Sequence, residues 1–286
     1  MQRLLFFYFL FFSLNVLAQT DLTKLAQPIV AEGKLLYRTE MASWYGTDLF
    51  FANYKQPKNL GGYFSYVENE LAKCVFYSLS ESPKVIGTAI FDSTYLLANA
   101  KLDLVERDFS PLENNLYILR KQTIDLVKSD SLFKFYQNTN FNFIPIITGN
   151  EKKVYILTGT QQQGVVILGN DYLLTFDSDN QLITKKAIHQ NIIPIEFANG
   201  EADVEIVGSL HNHSPETGDF ITATDICTLM LYAKFAKWKS HNVISEKYLN
   251  IWDCEKNSLV VVPVALFDKI DKEEKSPKEK KEKKKK

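Results

Sequence analysis

The stretch Ile206-Val207-Gly208-Ser209-Leu210-His211-Asn212-His213-Ser214-Pro215 constrains this chain more than any other. It reads as an apolar strand that ends in two histidines, then bends at Pro215 and Gly218 before a helix opens at Thr222. Successive side chains on a strand point to opposite faces, so His211 and His213 share one face. Two imidazoles can then aim at one point, which is what a zinc ion requires of its first two ligands. The chain has only four histidines, and two of them stand at this spacing.

The helix that follows carries apolar residues at Ile226, Leu229, Met230, Ala233 and Ala236. A carboxylate in its first turn can reach back over the strand end, which points to Asp225 as a third ligand. Two His and one Asp leave one position open for water, the arrangement of a catalytic zinc. Thr222-Ala223-Thr224-Asp225 also fits [ST]-x-x-[DE], so Asp225 is equally a helix-cap residue. The roles are compatible, because a carboxylate has two oxygens. Asp219, in the bend six residues past His213, competes as ligand.

With 45% hydrophobic and 13% aromatic residues the chain has ample material for a core, which excludes global disorder. From about 28 to 93, β-type runs alternate with turn signals: Lys34–Arg38, Trp44–Ala52, Gly62–Val67, Cys74–Leu79 and Val85–Phe91. Residues 111–129 shift to a helical period, with Pro111 in the first turn after Ser110. Strands are then expected at Val154–Gly159, Val165–Leu168, Tyr172–Phe176, Leu182–Ile188, Ile192–Phe197 and Val204–Leu210. A helix over 223–238 and two strands near 242–252 and 257–263 complete the pattern. The expected fold is α+β: an N-terminal antiparallel β unit and helix, then a mixed α/β domain. The boundaries read 19–108 for the β-rich region, 109–141 for a helical connector and 142–268 for the second domain.

The formal net charge of −1 is a cancellation among unlike segments. Residues 1–18 carry only Arg3 ahead of an uncharged run 4–17, and read as a secretory signal cut near Ala18. As a helix that run rises only ~21 Å, short of the ~30 Å hydrocarbon core. Residues 269–286 hold ten Lys against five acids and read as a solvated tail, one able to touch an anionic surface. Once those ends are set aside, residues 19–268 carry −7. An acidic body argues against nucleic acid as partner. The expected location is therefore secreted or periplasmic. Cys74, Cys227 and Cys254 are too few and too scattered for a disulfide framework, and read as small buried hydrophobes. His189 and His241 have no partner at ligand spacing and read as structural.

Val207-Gly208-x-x-His211-x-His213, with Thr222-x-x-Asp225 opening an apolar helix, resembles the JAMM (MPN or JAB) zinc metalloprotease motif. That motif runs hydrophobic-Gly-x-x-His-x-His-Pro, about seven residues, then Ser-x-x-Asp. The resemblance implies a JAMM/MPN-like domain over 142–268 and Zn2+ held by His211, His213 and Asp225. It implies hydrolysis of an amide bond in a protein or peptide substrate, with Thr222 in the place of the motif's serine. Three departures stand out: eleven residues between His213 and Asp225, Thr for Ser, and the proline displaced to Pro215. The family's general base is a glutamate upstream of the first His. The corresponding window, 151–166, contains one acid, Glu151, which reads equally as a solvated turn residue beside Lys152 and Lys153. Glu205 shares the strand face of His211 but lies ~20 Å away.

Leu210-His211-Asn212-His213-Ser214 also resembles the opening motif of PHP-type phosphoesterases, but only 73 residues follow His213, too few for their barrel. An HNH nuclease is excluded by the acidic body and the lack of a second zinc-knuckle pattern. The rival of another class is a catalytically silent copy of the fold, acting as a binding or assembly module of the cell envelope, with or without structural zinc.

Overall fold

The computed structural model describes residues 21–197 and 206–266. The expected signal 1–18, Val204, Glu205 and the tail 269–286 lie outside the described residues.

Among the described residues a helical turn over 21–25 leads into helix α1 (Gln27–Asn53), 27 residues long, where strands were expected at Lys34–Arg38 and Trp44–Ala52. Its buried positions are Val30, Gly33, Leu36, Thr39, Ala42, Gly46 and Phe50, recurring every three or four residues. Four of those seven are Gly, Ala or Thr, so the buried stripe carries little hydrophobic signal. The small residues bring α1 close to its neighbours. A Cβ at Gly33 would stand 2.7 Å from Ile226 Cβ, and one at Gly46 would stand 2.6 Å from Cys74 Cβ.

After α1 come β1 (Leu60–Glu68), β2 (Leu71–Ser78), β3 (Val85–Phe91) and β4 (Lys101–Asp103), an antiparallel sheet in that order. The turn between β1 and β2 places Asn69 and Glu70 at positive φ, the geometry a two-residue hairpin demands. Helix α2 (Pro111–Val127) begins at a capping box: the Glu113 amide donates to Ser110 Oγ, and the Ser110 amide donates to Glu113 Oε2. It falls where the periodicity placed it.

A second antiparallel sheet runs β5-β6-β8-β9, formed by β5 (Thr139–Thr148), β6 (Glu151–Thr160), β8 (Tyr172–Phe176) and β9 (Leu182–Ala187). Strand β5 begins inside the region expected to be a helical connector, so that connector ends with α2 and the loop after it. Strands β7 (Val165–Gly169) and β10 (Ile192–Glu196) pair as a separate antiparallel ribbon. The last sheet runs β11-β12-β13-β14, with β11 (Gly208–Asn212) parallel to β12 (Ser240–Ile244). Residues 242–252 are not one strand but the hairpin of β12 and β13 (Tyr248–Asp253), and β14 (Ser258–Pro263) follows. Between β11 and β12 lies helix α3 (Ala223–Tyr232), shorter than the expected 223–238. The architecture is α+β.

The first half of α1 packs where α3 covers the last sheet, with Val30 and the preceding Ala26 among Ile226, Leu229, Val243, Trp252 and Val261. Its other half packs on the first sheet, with Ala42 and Phe50 among Cys74, Phe76 and Ala89. Phe50 and Phe76 stack at 3.9 Å between centroids. The helix thus ties the N-terminal sheet to the elements that carry the histidines. Among the described residues no helix is long and apolar enough to cross a membrane, and all three cysteines are free.

Candidate metal centre

His211 and His213 lie at the C-terminal end of β11. Leu210 and Asn212 point outward and are exposed, whereas both histidines are buried, so the alternation expected of the strand holds. The His213 amide donates to the Ile244 carbonyl, continuing the pairing with β12 past the end of β11. Asp225 sits in the first turn of α3 as the third residue of a capping box. Its Oδ2 accepts from the Thr222 amide at 3.0 Å and from the Thr222 hydroxyl at 2.7 Å. The other oxygen, Oδ1, is buried with no hydrogen-bond partner and lies 3.7 Å from His211 Nε2. Helix cap and ligand are therefore served by different oxygens of one carboxylate.

A fourth group completes the cluster, and sequence spacing did not reveal it. His189, in the turn between β9 and β10, places Nε2 3.0 Å from His213 Nε2 and 3.6 Å from Asp225 Oδ2. His213 Nε2 lies 3.3 Å from Asp225 Oδ2. One ligand atom from each of His189, His211, His213 and Asp225 falls within 4.8 Å of all the others, and all four residues are buried. Metal–ligand bonds of 2.0–2.1 Å at the corners of a tetrahedron give ligand–ligand edges of about 3.3 Å. His189 Nε2–His213 Nε2 at 3.0 Å and His211 Nε2–Asp225 Oδ1 at 3.7 Å lie on either side of that value, while His189 and His213 approach the capping oxygen Oδ2. His211 Nε2 is also buried without a partner, a cost a bound cation would relieve. These side chains could hold a metal ion.

Groups behind the ligands set their orientation. Asp171, in the turn between β7 and β8, accepts from the His189 amide and lies 2.7 Å from His189 Nδ1. His211 Nδ1 lies 2.9 Å from His241 Nε2, and His241 Nδ1 lies 2.7 Å from Ser209 Oγ. If His189 and His211 ligate through Nε2, each carries its proton on Nδ1 and donates it outward. His241 then accepts on Nε2 and donates to Ser209, so all four histidines of the chain belong to one network.

The electrostatics are those of a site built around positive charge. Burial opposes ionisation of Asp225, yet His189 and His211 beside it hold its carboxyl well below the usual carboxylate range. Burial likewise opposes charge on His189, but Asp225 and Asp171 raise it to about 11. His211 is lowered by burial and by its neighbours His213 and His189, although Asp225 pulls the other way. Burial, with His211 nearby, lowers His241 to about 3, which suits an imidazole that accepts a hydrogen bond. Two buried carboxylates with neutral imidazoles carry two negative charges, which one divalent cation balances.

Glu151 is not brought to this site. It begins β6, is exposed, and pairs with Lys153 Nζ at 2.8 Å. Tyr172, next to Asp171, pairs with Ile156, five residues along β6, so Glu151 lies ~16 Å toward the far end of the strand. The solvated alternative describes it. Thr222 is close to the ligands, but its hydroxyl donates to Asp225 and accepts from the Asp225 amide, which leaves no proton free for an oxyanion. Asp219 pairs with Lys247 at 2.9 Å and is not among the cluster residues. His189 and His241, expected to be structural, belong to the centre and to its support. Among sequence signals only the scarcity of histidine bears on them.

No family model, no curated protein and no solved structure matches this chain.

Proposed function

We propose that this protein is a zinc-binding module in which His189, His211, His213 and Asp225 fill the four positions around one ion. The observation that carries this reading is that four buried ligand atoms from three separate segments meet within 4.8 Å. Four protein ligands close a zinc site, and closed sites are structural. The ion would fasten the β9–β10 turn and the start of α3 to the end of β11, and so stabilise a surface used for binding or assembly. Zinc is favoured over softer or harder ions by a donor set of three imidazoles with one carboxylate. In this reading segment 1–18 exports the chain, and its partners are proteins or peptides.

A second reading keeps the amide hydrolase that the JAMM-like motif implies, and one observation favours it. The donor set is entirely nitrogen and oxygen, whereas structural zinc sites mostly draw on thiolates. Zinc, when bound, supplies Lewis acidity toward a carbonyl and toward water. His211, His213 and Asp225 would then be the permanent ligands. His189, oriented by Asp171, would take and return the proton in the role first expected of Glu151, once the charge of the bound ion had displaced the proton it carries in the metal-free protein.

Metal analysis of the purified protein, with digestion of a peptide library with and without chelator, separates these outcomes. One zinc per chain, melting lowered by chelator and no chelator-sensitive cleavage support the module. Chelator-sensitive cleavage that is lost in His189→Ala supports the hydrolase. Absence of bound zinc defeats both.

A further inference from the structure

The second half of α1 has two unlike stripes. Ala42, Gly46 and Phe50 face the first sheet. Glu40, Ser43, Trp44, Thr47 and Asp48 stand at i, i+3, i+4, i+7 and i+8, which is one continuous face of a helix. A helix usually puts apolar residues on such a stripe to meet a neighbour, but four of these five are polar. They line a cleft of about 540 Å³, within the range of small-molecule sites, and the residues of the metal cluster do not line it.

The other walls have matching chemistry. Asn142 of β5 donates to Glu40 Oε2 at 3.0 Å. Gln161, Gln162 and Gln163, in the turn after β6, present a row of exposed amides. Tyr232 at the end of α3 lies beside Trp44, with ring centroids 6.3 Å apart and planes at 41°. Phe235 stacks on Trp44 from outside the cleft, at 6.1 Å and 25°. Neither Lys nor Arg lines the cleft, while Glu40 and Asp48 do, so its charge disfavours anions. An apolar ligand would leave carboxyl, amide and hydroxyl groups unpaired, which is costly.

We propose that this cleft binds a short oligosaccharide of neutral sugars. A pyranose ring offers an apolar C–H face for the Trp44 and Tyr232 rings, and an edge of hydroxyls that both donate and accept. Carboxyl and amide side chains in pairs are the groups that satisfy such hydroxyls. Burial raises Glu40 to about 7 against the opposing pull of Asn142 and Arg120, so near neutral pH it can donate as well as accept. The site binds and does not cleave: eight residues of helix separate Glu40 from Asp48 by ~12 Å along the axis, beyond the ~5–9.5 Å of paired glycosidase carboxylates.

The protein carries its own reporter. Of its three tryptophans, Trp238 and Trp252 are buried and Trp44 is 43% exposed. Tryptophan fluorescence and calorimetry on the full protein would be run against neutral gluco-, manno-, xylo- and N-acetylglucosamine oligomers. Uronate oligomers, chitosan oligomers and spermidine serve as charged comparisons. The expected result is a neutral oligomer binding more tightly than 1 mM with a shift in emission, weakened at least tenfold by Trp44→Ala and by Asn142→Ala. Gln162→Ala, at an exposed position, should weaken binding too, and keeps the test readable if either other variant fails to fold. Binding confined to the charged probes, no neutral oligomer below 1 mM, or unchanged affinity in folded Trp44→Ala would overturn the proposal.

Discussion

His189 Nδ1 lies 2.7 Å from Asp171 Oδ1, and the opposite nitrogen of the same ring lies 3.0 Å from His213 Nε2. The imidazole is therefore gripped from behind by a carboxylate on the β7–β8 turn while its free edge faces the other ligands. Asp171 also accepts from the His189 amide, so one side chain sets both the turn and the ring. A carboxylate behind a ligating histidine raises its basicity and holds its tautomer.

Asp171→Asn should therefore lower zinc affinity by about 10–100-fold while leaving a folded protein. Competition with a chromophoric chelator measures it. An affinity equal to that of the unaltered protein would remove Asp171 from the site.

Zinc binding should release a proton. In the metal-free protein His189 is raised to about 11, and a ligating imidazole must be neutral. Below that pH zinc displaces the proton, so apparent affinity should rise about tenfold per pH unit from neutrality upward. The metal-free fold responds oppositely. Because His189 is raised above 6.5, its contribution to stability is full below that pH and is lost as pH climbs toward about 11. Asp225 is lowered, so its contribution is lost only as pH falls below the usual carboxylate range. Calorimetry in buffers of different ionisation enthalpy, with urea unfolding at pH 6 and pH 10, tests both statements. Proton uptake on binding would contradict them.

Gly33→Ala and Gly46→Ala should separate stability from metal binding. Each added methyl meets a side chain below 3.0 Å, so each should destabilise by about 1–3 kcal/mol. At Gly33 the methyl presses on Ile226 and lies 2.9 Å from the Ala223 carbonyl, in the turn that presents Asp225. Zinc affinity should fall there and stay unchanged in Gly46→Ala, which presses on Cys74. Denaturant melts and zinc titrations on both variants provide the comparison.

How much of this was legible in the sequence depends on how local each feature is. His211-x-His213 and Thr222-x-x-Asp225 could be read because strand alternation and helix capping act within a few residues. Helix α2 was legible for the same reason: Ser110 and Pro111 mark its start, and the capping box closed by Glu113 bears that out. Helix α1 was not, because Gly33, Thr39, Ala42 and Gly46 make close contact without being strongly hydrophobic. His189 was hidden for another reason. It reaches the site because β8 pairs with β9 and the Ile188 amide donates to the Asp171 carbonyl, and one sequence does not reveal which distant turn meets which strand end.

Glu151→Gln should change neither zinc affinity nor melting temperature, since its carboxylate is exposed and its partner is Lys153. A chelator titration and a thermal melt on that variant are sufficient. A large loss of affinity would return Glu151 to the site.

His189, His211, His213 and Asp225 are proposed to hold one ion together. This is tested most directly by titrating zinc into metal-free protein while following heat of binding and thermal unfolding. One zinc per chain should bind and, at a hundredfold excess over Kd, add about 2.7 kcal/mol of stability. That is a rise of roughly 5–10 °C in Tm for a folded body of this size, and it should vanish in His211→Ala and His189→Ala. No saturable binding with an unmoved Tm, or equal binding by the His189→Ala protein, would contradict it.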